Sequence, residues 1–233
     1  MQNSVVVGVQ PGATSSPPSA RSIADANTTM IVADSGAHRV LILRGPFLSA
    51  QSPAVVIGQP DLISTSPGRS AAQMRNPYDA ILDAAGNLWA ADTFNDRILE
   101  FVPPFRNGMS ASLVLGEPDF TSDNFNLPGP KTSVGLAKPE GLAFDKAGNL
   151  WVADSYDNRV VEFTPPFQNG MAFTLEMKEV QQNGPGACGD VQETLCGPSN
   201  LTFDSAGNLW VVDSDNNRVL RLHNAKLSRT PRT

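Results

Sequence analysis

Short apolar runs of four to six residues recur along the chain at a fixed interval, and Gly, Asn, Asp and Pro punctuate them. The clearest interval begins with Leu142-Ala143-Phe144-Asp145, turns through Lys146-Ala147-Gly148-Asn149, and continues as Leu150-Trp151-Val152-Ala153-Asp154. Gly and Asn at the turn tolerate the positive φ that a tight hairpin needs. A second turn, Ser155-Tyr156-Asp157-Asn158, leads into Arg159-Val160-Val161-Glu162-Phe163, a β-branched and aromatic run suited to a strand. Thr164-Pro165-Pro166-Phe167-Gln168-Asn169-Gly170 is loop, because paired prolines cannot serve a central strand, and a fourth strand is expected over 172–177. Each unit therefore predicts four antiparallel strands joined by hairpins.

The pattern repeats with little variation. Gly86-Asn87-Leu88-Trp89, Gly148-Asn149-Leu150-Trp151 and Gly207-Asn208-Leu209-Trp210 are three copies, and Met30-Ile31-Val32-Ala33-Asp34 is a worn fourth. Asp34, Asp92, Asp154 and Asp213 are followed five residues later by Arg39, Arg97, Arg159 and Arg218. A fixed period of this length specifies a repeated supersecondary unit. Four-stranded antiparallel units in series predict an all-β chain folded as a β-propeller with one blade per copy. No long helical apolar period occurs, which excludes an α-solenoid.

The two ends of the chain are complementary in phase. Val5-Val6-Val7-Gly8-Val9-Gln10-Pro11 resembles the fourth-strand run Val55-Val56-Ile57-Gly58-Gln59-Pro60, and the last copy stops after its third strand, Arg218-Val219-Leu220-Arg221-Leu222. The expectation is a single domain over 1–222 with a tail at 223–233, in which the N-terminal strand completes the last of four blades and covers an open edge. A fragment of a six-bladed ring is the alternative.

Residues 148–163 resemble the NHL repeat of β-propeller proteins, and Gly116-Glu117-Pro118-Asp119-Phe120 resembles a bacterial subtype with long loops between blades. Such propellers commonly have six shorter blades, so four blades of this length depart from the pattern. The resemblance specifies fold and says little about activity.

Charge narrows the function classes. The 233 residues carry a formal net charge of −6, a poor match to phosphate backbones, so neither nucleic acid nor the RNA binding of some NHL proteins is expected. No run approaches the 18 apolar residues of a membrane span, and no membrane partner is expected. The first residues lack the basic and apolar regions of a secretory signal. Cys188 and Cys196, the two cysteines, stand in one Gly-rich loop at a separation unlike that of metal or redox pairs. A loop disulfide fits, contributing roughly 2.5 kcal/mol in the chain-entropy model and favouring an extracellular or periplasmic location.

The recurrent Asp, Arg and Trp read as parts of the blade, since residues present in every copy serve the repeat. Chemistry is expected where copies differ, at the channel mouth near the start of each innermost strand: Arg21, Tyr78, Asp79, Glu140 and Asn200 are the candidate binding residues. In gluconolactonase-like and paraoxonase-like propellers a central metal is held by Glu, Asp and Asn near this level, and that resemblance implies a calcium ion at Asp79, Glu140 and Asn200, with lactonase or esterase activity. Calcium needs six to eight oxygens, which three side chains do not supply, so neither catalytic group nor cofactor is assigned. His38 reads as a solvated turn residue, and His223 has no ligand spacing to it. The expected function is a non-catalytic, monomeric binding or scaffold module. Its long loops at 59–78, 117–139 and 178–199 would share one face with the short turns and meet a protein, peptide or glycan.

Overall fold

A computed structural model describes residues 20–26, 29–44, 53–122, 134–177 and 195–222. They form four antiparallel sheets in sequence order. Blade I contains β1 (Ala20–Ala26), β2 (Thr29–Asp34), β3 (Arg39–Arg44) and β4 (Val55–Ile57). Blade II contains β5 (Asp79–Leu82), β6 (Leu88–Asp92), β7 (Arg97–Phe101) and β8 (Leu113–Leu115). Blade III contains β9 (Pro139–Phe144), β10 (Leu150–Asp154), β11 (Arg159–Phe163) and β12 (Leu175–Met177). Blade IV has three described strands, β13 (Pro198–Phe203), β14 (Leu209–Asp213) and β15 (Arg218–Leu222). The outer strand of blade III, Leu175–Met177, is shorter than its apolar run predicts, and Thr174 just before it donates its N–H to the Glu162 carbonyl of β11.

The inner hairpins of blades II, III and IV are each tied by one carboxylate. Asp83 Oδ1 accepts the Ala85 and Asn87 N–H groups, while Oδ2 accepts the Asn87 side chain and Trp89 Nε1. Asp145 and Asp204 hold Asn149 with Trp151, and Asn208 with Trp210, in the same way. Gly86, Gly148 and Gly207 supply the positive φ of these turns, 86°, 84° and 81°.

Alternation along the strands gives each blade two apolar faces. One face of blade I (Ile31, Val40, Ile42, Ile57) packs on Leu88, Ala90, Leu99 and Phe101 of blade II. Trp89, Ala91 and Ile98, on the opposite face of blade II, pack on Leu142, Leu150, Val152 and Phe163. Trp151, Ala153 and Val160 of blade III repeat the arrangement against Leu201, Leu209 and Val211. Trp89 meets Phe144 and Phe167 edge-on at 5.7 and 4.8 Å, and Trp151 meets Phe203 at 5.8 Å. These Trp residues are inter-blade packing, as the sequence implies. Phe167 belongs to one of the two Pro-Pro-Phe loops and packs as a strut between blades II and III. Farther along those loops Asn107 and Asn169 accept the Val56 and Val114 N–H groups of the preceding blade's outer strand.

The expected closure of the ring rests on residues 5–10, which lie outside the described residues, as does the tail at 223–233. Within the described residues blade IV packs on blade III and has no comparable packing on blade I. Its far face is open: Trp210, Val212 and Val219 are 36, 38 and 58% exposed, where the equivalent Trp89 and Trp151 are 0 and 2% exposed.

The innermost strands of blades III and IV approach closely at Gly141, where a Cβ would lie 2.6 Å from Asn200 Cα and 3.1 Å from the Ser199 carbonyl oxygen, both backbone. Gly141→Ala should therefore force blades III and IV apart and cost about 1–3 kcal/mol. Gly36→Ala, with no atom within 4 Å of its added Cβ, should be close to neutral. Thermal melts of the two variants check this.

Candidate functional site

Entry of the chain into each blade is governed by the recurrent acid. Asp92 Oδ1 accepts the Arg75 N–H at 2.6 Å, and Oδ2 takes Arg97 Nε at 2.8 Å and the Asn95 amide at 2.9 Å. Asp154 holds the Ala137 N–H and Arg159 Nε, each at 2.6 Å. Asp213 holds the Cys196 N–H and Arg218 Nε at 2.6 and 2.7 Å. Asp34 pairs with Arg39 at 2.8 Å. The sequence leading into blade I is Pro17-Pro18, which has no N–H to offer.

The arginines carry this order into the long loops. Arg97, fully buried, donates to the carbonyls of Phe120, Ser70 and Gln73. Arg159 reaches Glu176 at 2.8 Å and the Gly135 carbonyl at 2.7 Å, and stacks on Phe173. Arg39 donates to the Leu62 carbonyl. Burial pushes the Asp154 carboxyl up to about 7 and the Asp92 carboxyl upward, against the pull of the arginine beside each.

A second contact joins neighbouring blades. His38, Asp96 and Asn158, four residues after their Asp, have positive φ of 56°, 57° and 53°. His38 Nδ1 accepts the Asn76 N–H at 3.0 Å, Asp96 the Lys138 N–H at 2.8 Å, and Asn158 the Gly197 N–H at 2.8 Å. Two consecutive N–H groups thus fix each entering chain, one to its own blade and one to the blade before. His38 is therefore a joint residue rather than a solvated one. Burial, then Arg75, holds its imidazole below the ordinary value, with Asp34 opposing.

The channel-mouth residues do not share one role. Asp79, 5% exposed, accepts the Ala80 N–H at Oδ1 and the Leu142 N–H at Oδ2, strapping blade II to blade III. Asn200 is exposed and its Oδ1 accepts the Leu201 N–H. Glu140 is half-buried. Tyr78 sits edge-on to Phe94 at 6.0 Å. Arg21 is in β1, and its side chain lies outside the description. No group of three or more His, Cys, Asp or Glu able to hold a metal occurs among the described residues. Cys196 is buried and disulfide-bonded; Cys188 lies outside the described residues.

The short turns and the loops between blades do share a face: Phe94 N–H bonds the Arg75 carbonyl and Tyr156 N–H the Ala137 carbonyl. That face exposes side chains that sequence reasoning passed over. Leu62, Ile63 and Tyr156 are 42, 89 and 53% exposed, and the Lys138 ammonium lies 5.3 Å from the Phe94 and Tyr156 ring centres. The available signal was an apolar pair inside the otherwise polar stretch Asp61-Leu62-Ile63-Ser64.

Comparison with known proteins agrees with this geometry. The NHL repeat model matches residues 136–163 and 195–222. No curated protein matches the chain in sequence. Among solved structures, a streptogramin B lyase superposes with a TM-score of 0.53 at 14% identity, over 89% of this chain and 52% of that one. A putative gluconolactonase gives 0.50 at 18%, over 88 and 60%. A nidogen/laminin complex gives 0.50 at 20%, over 87 and 62%. The chain thus spans about half the length of the first of these, and at such identities the likeness is one of fold.

Arg97→Met should leave Asp92 buried without its counter-ion and cost about 3–5 kcal/mol, measured by urea unfolding. The His38 contact needs a neutral imidazole. Because the unfolded chain takes up a proton first, the contact stabilises above pH about 6.5 and is lost as pH falls below it. His38→Asn keeps an acceptor that tolerates positive φ, as Asn158 does. The difference in Tm between wild type and His38→Asn should therefore move against the wild type between pH 7 and 5.

Proposed function

We infer that this NHL-repeat β-propeller is a binding and scaffold module without catalysis of its own, and that its loop-rich face meets a protein, peptide or glycan. One observation carries the reading. The recurrent acids and arginines are consumed in holding the backbone, while the loop face exposes three large apolar or aromatic side chains, Leu62, Ile63 and Tyr156, among polar ones such as Asp61 and Arg75. Exposed large apolar groups beside an aromatic-flanked lysine are what a recognition surface provides. The net charge of −6 turns the surface away from nucleic acid and anionic membranes. The bonded Cys196 supports an extracellular or periplasmic setting.

The second reading places calcium and lactone or ester hydrolysis at Asp79, Glu140 and Asn200. Against it, both Asp79 oxygens already hold backbone N–H groups, one of them in the next blade, which gives that carboxylate a structural use.

Peptide and glycan arrays probed with the chain should yield a discrete ligand. Replacing Leu62 and Ile63 by Asp together with Tyr156→Ala should weaken it at least about tenfold without changing the melting temperature. Calcium should leave the melting temperature unchanged. Calcium-dependent turnover of simple lactones, abolished by Glu140→Ala, would replace this reading with the second.

A further inference from the structure

We propose that the open face of blade IV is half of a blade-to-blade joint, and that its other half is blade I of a second copy of this chain. Two copies arranged head to tail would then form one eight-bladed ring.

The face has the composition of the joints already made inside the chain. Trp210, Val212 and Val219 occupy the register positions of Trp89, Ala91 and Ile98 in blade II and of Trp151, Ala153 and Val160 in blade III. Those six are buried against the next blade. Along β14 buried and exposed residues alternate without exception, so one side is finished and the other is not. The polar half of the joint is present on the blade IV side alone. Asn217 has the positive φ of His38, Asp96 and Asn158, 52°, and stands at the same distance after its Asp. In the other three blades this side chain receives an N–H of the incoming neighbour. Asn217 is exposed, but the blade I residue equivalent to Asn76, Lys138 and Gly197 is Pro18, which has no N–H to donate, so the seam rests on its apolar faces.

Blade I supplies a matching surface. Val32, Leu41 and Leu43, on the side of blade I away from blade II, are only partly buried. The same faces of blades II, III and IV, carrying Ala90 and Leu99, Val152 and Val161, and Val211 with Leu220, are the ones that receive a preceding blade. The exposed face of blade IV and the partly covered face of blade I, where Met30 is already buried, are therefore the two complementary sides of one repeating interface. The four blades superpose on about half of a longer propeller chain, so their curvature belongs to a larger ring than four blades make. A two-fold axis relating two such arcs closes both seams at once, as symmetric oligomers require, and eight blades lie within the range of known propellers. Arg221, stacked on Trp210, takes the place of Glu100 and Glu162 opposite the internal Trp residues. That charge difference separates the seam from the internal joints and disfavours mispairing.

Light scattering after gel filtration tests this directly. The wild-type chain should run at twice its 24.8 kDa. Val219→Glu and Leu41→Lys should each run as single chains with unchanged far-UV circular dichroism. Mixed in equal amounts, the two variants should recover the doubled mass, because one seam then pairs Glu with Lys and the other is wild type. A wild-type chain at single mass, single variants that stay dimeric, or folded variants that fail to complement would each overturn the proposal. A result at this seam leaves the loop-face reading to its own arrays.

Discussion

Two adjacent backbone N–H groups at the entrance to each of blades II, III and IV are the constraint on which the rest of the structure depends. One is taken by the blade's own aspartate and the other by a side chain from the blade before. Apolar packing alone would let neighbouring sheets slide, since Leu, Val and Ile faces interdigitate at more than one offset. The paired polar contacts remove that freedom. They demand an acceptor of short reach in a left-handed backbone conformation, which explains His, Asp and Asn at 38, 96 and 158.

The buried Asp–Arg pairs serve the same end. Placing Asp92, Arg97, Asp154 and Arg159 out of water is costly, and their mutual attraction offsets that cost without yielding a large surplus. What the pairs add is coverage: the Arg97 guanidinium spans the carbonyls of Ser70, Gln73 and Phe120, and that of Arg159 takes the Gly135 carbonyl, in irregular loops that have no strand to satisfy them. The long inter-blade loops are thereby held by the framework, and a rigid loop face costs less entropy to bind with than a loose one.

Much of this was legible in the sequence, for physical reasons that apply residue by residue. Gly-Asn-Leu-Trp fixes a hairpin and a face in one phrase, so strands, blade count and the packing role of Trp89 and Trp151 could be read directly. The structural use of the Asp–Arg pairs followed from their presence in every copy. Asp79 as an inter-blade strap did not, because its partner, the Leu142 N–H, is 63 residues away and no local pattern announces it. His38 was misjudged for a related reason. A turn residue ordinarily faces water, and only the neighbouring blade's Asn76 turns it inward. Leu62 and Ile63 escaped notice because isolated apolar residues in loops are common, and exposure depends on where Arg39 fastens the loop.

Repetition also explains why function is harder to read here than fold. In a solenoid-like array each unit's sequence is dominated by contacts with its neighbours, so the recurrent residues report the joint and nothing beyond it. Specific information survives only where the units differ or where a joint is left exposed among the described residues. In this chain those places are the loop face, where Ile63 is replaced by Thr121 in the next copy and Tyr156 stands where other copies have Gly36, Phe94 and Asp215, and the far side of blade IV, where the joint residues are present and their partner is not among the described residues. A blade face with Trp210 in the open is not a finished surface in water, because the Leu-rich side of the same sheet shows what that geometry buries when it is covered. The asymmetry between the two faces of one sheet is therefore the strongest physical statement the molecule makes about what lies next to it.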